Sequence, residues 1–318
     1  MPVHIYEPPV NELLHYGPCQ GFQVKEWPNY VQELGLTREH VPALIQMVQD
    51  EVLWGFFMGS SQGQDDHPEA DVDPEAAMWA PLHAWRSLGQ LQAVDAIPAL
   101  VQVLDQYDID WCWEELPQVF GLMGAEAIAP LNDLFATKLH YNHKITVVDG
   151  LGEIVKAFPE LRDRCVAVLT QQLSNCKQHH RSVNGALVAR LMDFEALEAV
   201  PVIEAAYQAK KVDEMFVGSW ARVQVDLGLK QESDFTPDEL AIHYTPRQEQ
   251  MLANIRARFG QQSASPKSAS GWPETYGLEK PPEFKDIVPP PPAQQRTAKP
   301  GFGGGAPSGA KKSKKKKN

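Results

Sequence analysis

HVPALIQMVQD, beginning at His40, and AIPALVQVLDQ, beginning at Ala96, are two renderings of one eleven-residue phrase. Weaker copies follow: AIAPL at Ala127–Leu131, AFPEL at Ala157–Leu161, AVPVI at Ala199–Ile203 and FTPDELAI from Phe235. A second mark precedes each copy: Leu34-Gly35, Leu88-Gly89, Met123-Gly124, Leu151-Gly152, Met192-Asp193 and Leu227-Gly228. The Gly (or Asp193) stands 7, 9, 6, 7, 8 and 9 residues before the following Pro. Four residues before each Leu or Met lies Tyr30, Ala84, Val119, Val147, Val188 or Val223. An apolar pair at i, i+4 lies on one face of a helix. The pattern predicts a first helix stopped at Gly, a short turn, and a second helix with Pro in its first turn. Gly takes a left-handed cap without a Cβ penalty, and Pro gives up an N–H that had no helical partner.

The second marks lie 54, 35, 28, 41 and 35 residues apart, and the last four average close to 35, the period of two-helix repeats. One helix pair cannot bury its apolar face alone, so neighbours must stack. The expected fold is all-α: an α-solenoid of about six two-helix repeats over residues 30–260. The segment LHAWRSLGQLQAVDAIPALVQVLDQ resembles the HEAT-like repeats of phycobilisome lyases and related bacterial proteins, and the resemblance covers roughly residues 30–245. It implies a solenoid that binds another protein, or a bilin lyase or isomerase. No catalytic residue carries over with it.

The long first interval holds an insert within 59–76, GSSQGQDDHPEADVDPEA, without apolar periodicity. Asp65, Asp66, His67, Glu69, Asp71, Asp73 and Glu75 lack the Gly and Glu positions of a calcium loop, so an acidic loop is expected. Asp73-Pro74 reads as an N-cap followed by a first-turn Pro. Residues 1–29 form an N-terminal extension. TPRQEQMLANIRARFG, from Thr245, predicts a capping helix with Thr245 and Gln248 as capping box and Met251, Ile255 and Phe259 as the stripe that covers the last repeat. Residues 261–318 are expected to be a disordered tail rich in Pro and Gly, although Trp272, Tyr276, Leu278, Phe284 and Ile287 are unusual in a pure linker. The end, APSGAKKSKKKKN, is similar to the short zinc-binding SEC-C tail motif but lacks its cysteines, so no zinc is expected there.

Charge divides the chain. Residues 261–318 carry 11 Lys+Arg and 4 Asp+Glu, a balance of +7. The whole chain is −12, which leaves −19 on the first 260 residues. An acidic body suits a basic protein surface, and the tail suits a ribosome, RNA or another anionic surface. The four cysteines stand apart, with no C-x-x-C, and the N-terminus lacks the pattern of a signal peptide. No run of about 18 apolar residues is present, so no membrane span is expected. A cytoplasmic protein without cofactor or metal is the expectation.

The sequence holds no phosphate loop, nucleophile elbow or H-E-x-x-H. His140 and His143 stand at the entrance to one repeat and His179 and His180 at the entrance to the next. Stacking would bring them together, yet exposed turn histidines without supporting carboxylates are the simpler expectation. Cys112, between Trp111 and Trp113, is expected to be a buried thiol rather than a nucleophile. Trp85 and Phe120 both stand four before their marker Gly and are expected in the core. Trp79 and Trp113, at the edge of the same stack, with Glu114 and Glu115 beside them, make an aromatic, acidic recognition patch. Lys311, Lys312, Lys314, Lys315, Lys316 and Lys317 form a second contact surface. The expected function is that of a non-enzymatic scaffold or adaptor, tethered through its basic tail, with the lyase and the ribosome- or nucleic-acid-associated factor as alternatives.

Overall fold

The computed structural model describes residues 5–59 and 72–259. Most of the acidic insert, including Asp65, Asp66, His67, Glu69 and Asp71, lies outside that range, as do residues 261–318 with all six C-terminal lysines. Among the described residues the structure is all-α, with no strand.

Helices follow the sequence marks in pairs. The first pair is one turn, α1 (Tyr30–Glu33), and α2 (Val41–Val48). Two short helices then flank the insert: α3 (Glu51–Phe57) and α4 (Pro74–Ala77). The central pairs are α5 (Ala80–Gln90) with α6 (Ile97–Tyr107), α7 (Asp110–Met123) with α8 (Ile128–Asp133), α9 (Tyr141–Ala157) with α10 (Arg162–Ser174), and α11 (Arg181–Asp193) with α12 (Val200–Gln208). The chain continues through α13 (Glu214–Val217), α14 (Trp220–Asp226), α15 (Pro237–Leu240) and α16 (Pro246–Phe259). The long first helices pack on one another in order, α5 on α7, α7 on α9, α9 on α11, and α11 on the short α13. Second helices pack α2 on α6, α8 on α10 and α10 on α12. Trp85, Leu88, Phe120 and Leu151 are fully buried between them.

A 3-10 turn leads into most second helices, and Pro42, Pro98 and Pro201 stand in their first turns as the sequence predicts. The marker glycines divide into two kinds. Gly35, Gly124 and Gly228 take φ of 68°, 70° and 71° and stop their helices. Gly89 and Gly152 are instead helical, and the left-handed residue at the first of these turns is Gln92, φ 52°. Their lack of a Cβ serves helix contact: an atom placed there would meet Leu122 and Val119 at 3.2–3.3 Å from Gly89, and Arg190 at 3.0 Å from Gly152.

Residues 5–29 are part of the core rather than an appendage, since Tyr6, Val10, Leu13, Leu14, Cys19, Val24 and Trp27 are buried. The predicted caps form: Asp73 accepts from the Glu75 N–H at 3.0 Å, and Thr245 and Gln248 close a capping box. The cover predicted for α16 does not. Met251 and Ile255 remain 45% and 44% exposed, and α16 is held instead by Gln248 donating to Asp213 at 2.7 Å.

The stretch Asp110–Ala136 is long and apolar enough to cross a membrane by length and composition, but it is broken at Gly124 and more than half buried. That is the profile of a core helix pair.

Close approach of first helices gives a direct test. A Cβ on Gly150 would lie 2.8 Å from the Phe120 ring and 3.1 Å from its Cβ. Gly150→Ala should therefore destabilise the fold by about 1–3 kcal/mol despite the better helix propensity of Ala. Urea denaturation measures this, and a neutral or stabilising effect would show that α7 and α9 are not in contact there.

Candidate functional site

The densest polar chemistry lies where the N-terminal segment crosses α5 and α7. His83, Arg86 and Gln90, spaced three and four apart, share one face of α5, and Glu115 and Gln118 lie on α7. Arg86 forms a buried two-pronged ion pair with Glu115. It also donates to the Gly21 carbonyl at 2.8 Å, with the Trp27 ring 4.9 Å from the guanidinium. Trp85 Nε1 donates to the same carboxylate at 2.7 Å. Gln118 donates to the Phe22 carbonyl and accepts from the Val24 N–H, and Gln90 donates to the Pro28 carbonyl. These side chains read the main chain of residues 17–28. Burial raises the Glu115 carboxyl above its ordinary value, against the pull of Arg86. Burial also works against the Arg86 charge, but the bonds to Glu115 prevail and hold the guanidinium charged.

His83 is neutral at physiological pH. Burial pushes it down to about 4, against the bond its Nε2–H donates to the Gly17 carbonyl at 2.8 Å. Its Nδ1 then accepts from the Tyr30 hydroxyl at 2.6 Å, and Cys19 Sγ lies 3.6 Å away. Burial raises the Cys19 and Cys112 thiols to about 12 and Cys165 to about 11, so none of the three is a thiolate at neutral pH.

The predicted recognition patch comes apart. Glu115 is fully buried and belongs to Arg86. Trp79 is half-buried, edge-on to Phe57 and Trp111 at 5.5 and 5.6 Å. Only Trp113 and Glu114 are exposed, with Trp113 Nε1 donating to Asp108 at 2.9 Å. Sequence position alone places Trp79 and Glu115 at an edge. The identity of their partners, 30 residues or so away in the chain, decides otherwise.

Stacking does bring the histidine entrances together, in part. His140 and His143 lie 5.6 Å apart by ring centroid, and Tyr141 stacks on His180 at 4.0 Å. His140 and His180 serve as N-caps of α9 and α11 through their ring nitrogens. His179 turns away to Phe135 and Gln172. His143 corrects the expectation of an exposed ring without carboxylates: it is buried, with its nitrogens 3.1 Å from Asp105 and from Asp108. Among the described residues no group of three or more His, Cys, Asp and Glu is arranged to hold a metal ion.

One feature escaped the sequence reading. Two residues before the start of each of five second helices stands an exposed carboxylate: Glu39, Asp95, Glu126, Glu160 and Glu198. Contacts between pairs show that these turns run side by side. Arg38 donates to the Gln92 carbonyl and Gln92 to the Leu122 carbonyl. Arg164 donates to the Ala125 carbonyl, and Arg162 to the Phe194 carbonyl and to Glu198. The five carboxylates thus stand in turns that contact their neighbours. The available signal was an acidic residue within four positions of each Pro, before it in four copies and after it at Pro159-Glu160; it emerges only once the copies are aligned on their helix starts.

No protein-family model, curated protein or solved structure matches this chain.

Two measurements test the buried groups. Arg86→Met leaves Glu115 without a partner and should cost about 3–5 kcal/mol. Adding Glu115→Leu should recover part of that, and full recovery would mean that the bonds from Arg86 to residues 20–21 contribute nothing. His83 has a lower pKa folded than its unfolded value of about 6.5. Below that value the unfolded chain binds the extra proton, so stability falls as pH drops from about 6.5 towards 4, by up to about 1.4 kcal/mol per unit. His83→Gln should flatten that part of a pH series, and an unchanged slope would place the proton elsewhere.

Proposed function

We propose that the chain is a non-enzymatic protein-binding scaffold: an α-solenoid of about six HEAT-like helix pairs that receives a basic surface of another protein along its carboxylate edge. The rungs Glu39, Asp95, Glu126, Glu160 and Glu198 carry the proposal. One exposed carboxylate recurs at the same place in five successive units, and repetition at a fixed structural position makes a long continuous surface from short helices. The negative ends also fit the first turns of the second helices, where the helix dipole favours them. An acidic body of −19 adds long-range attraction for a basic partner. Against a lyase-type activity stands the environment of Cys112, sealed in the core with its thiol raised to about 12.

The expected test result is salt-dependent capture. Immobilised full-length chain should retain proteins with basic surfaces from its host's extract at about 50 mM salt and release them by about 200 mM, as screening shortens. Replacing Glu126, Glu160 and Glu198 together by Gln should reduce that retention about tenfold with the fold unchanged. Retention that is the same in the variant, or indifferent to salt, contradicts the proposal.

A further inference from the structure

The carboxylate edge meets a cleft at one point. Asp163, Val166, Ala167, Thr170, Gln171 and Ser174 of α10 and Glu198 before α12 line an open cleft of about 670 Å³. Its apolar lining is Val166, itself buried, and exposed Ala167. The buried hydroxyl oxygen of Thr170 has no hydrogen-bond partner. At its rim Asp163 and Glu198 share a single cation, Arg162, at 3.0 and 2.9 Å. Two carboxylates on one guanidinium leave a net negative charge, and exposed Glu160 and Glu195 stand close in the chain to these residues.

We propose that this cleft and the neighbouring rungs are the docking site of the chain's own C-terminal lysine run, Lys311–Lys317, bound in cis. The inference rests on the scaffold reading above and adds a regulator to it. Four observations select this occupant. The charges are opposite, −19 on the body against +7 beyond residue 260. The dimensions agree: seven extended residues span about 23–25 Å, and neighbouring packed helices lie about 8–10 Å apart. Six lysines in seven positions can therefore meet Glu126, Glu160 and Glu198 in one pass. The chemistry agrees as well, since a lysine lays its methylene stem on apolar surface and carries its ammonium to a rim carboxylate; exposed Ala167 offers the first, Asp163 and Glu198 the second. Finally, 51 residues separate Phe259 from Lys311. Their contour, up to about 170 Å, reaches any point of the stack from α16.

A segment tethered in this way competes with an external ligand at an effective concentration set by its linker, lower for 51 residues than the millimolar range of short linkers. The lysine run would then hold the edge closed until a stronger basic surface displaces it, and the tail would be an internal clasp rather than a tether to an outside polyanion.

The test uses a labelled synthetic peptide of residues 306–318 as probe, titrated at about 50 mM salt. The full chain is compared with a chain whose six lysines at 311, 312 and 314–317 are serine. The serine variant should bind the peptide at least about tenfold more tightly than the unmodified chain. Asp163→Asn with Glu198→Gln in that background should abolish the gain, and Glu39→Gln with Asp95→Asn, at the far end of the edge, should leave most of it. In parallel, zero-length carbodiimide cross-linking of a mixture of light and ¹⁵N-labelled full chains should join the lysine run to Glu160, Asp163 or Glu198 within one chain. Equal peptide binding by full chain and serine variant overturns the clasp while leaving the acidic edge as a binding surface. Binding by neither overturns the edge itself. Cross-links between light and heavy chains, or tail binding to RNA in place of the edge, also contradict docking in cis.

Discussion

Close approach between successive first helices governs the rest of this structure. Gly121 of α7 faces Glu153 of α9, Gly150 of α9 faces the Phe120 ring, and Gly152 faces Arg190 of α11, all at distances that leave no room for a Cβ without displacement. Such contacts set the spacing and register of the first helices, because packed interiors transmit displacements rather than absorb them. The second helices are joined to the first by short turns, so their starts inherit the same register. The proposed carboxylate edge follows from this packing: each of the five residues stands two positions before a second helix whose partner is itself held in place.

Polar groups inside the stack are consumed by structure. Arg86 and Glu115 neutralise each other in the core, and what remains of the bonding capacity of Arg86 goes to the main chain of residues 20–21. Gln90 and Gln118 spend their amides in the same way on residues 22–28. Such groups must be satisfied once buried, since an unpaired charge there costs far more than the pair contributes. The N-terminal segment is thus bound to α5 and α7 largely through its backbone, with Val24, Trp27 and Cys19 adding apolar contact. The proposed binding surface lies elsewhere, on the exposed carboxylates before the second helices.

The all-α class, the helix starts at Asp73 and Thr245 and the core positions of Trp85 and Phe120 were legible in the sequence because each depends on local chemistry or on a short-range period. What depended on packing was not. Gly89 and Gly152 look like helix stops but act as contact points, since a missing side chain serves either purpose and only the neighbouring helix decides. Glu115 looks like a surface carboxylate until Arg86, 29 residues earlier, is placed beside it. His143 is bare in the sequence until Asp105 and Asp108 arrive from the end of α6, two pairs earlier. The stripe of Met251 and Ile255 promises a cap, but amphipathic pattern states only that a face is apolar, not that a surface is present to cover it. The carboxylate edge was hidden for a simpler reason: its residues lie at a constant distance from helix starts and at a variable distance from the Pro and Gly that draw the eye.

The central claim is that the aligned turns before the second helices act as one acidic binding surface. Hydrogen exchange with mass spectrometry on the six-serine chain, with and without a saturating lysine-rich peptide, examines it most directly. The account predicts slowed exchange in the turns and first residues of the second helices around Glu126, Glu160 and Glu198, with weaker effects towards Glu39 and none at Trp113. Protection centred on α7 near Trp113 and Glu114, or absent from the second-helix turns, would contradict it.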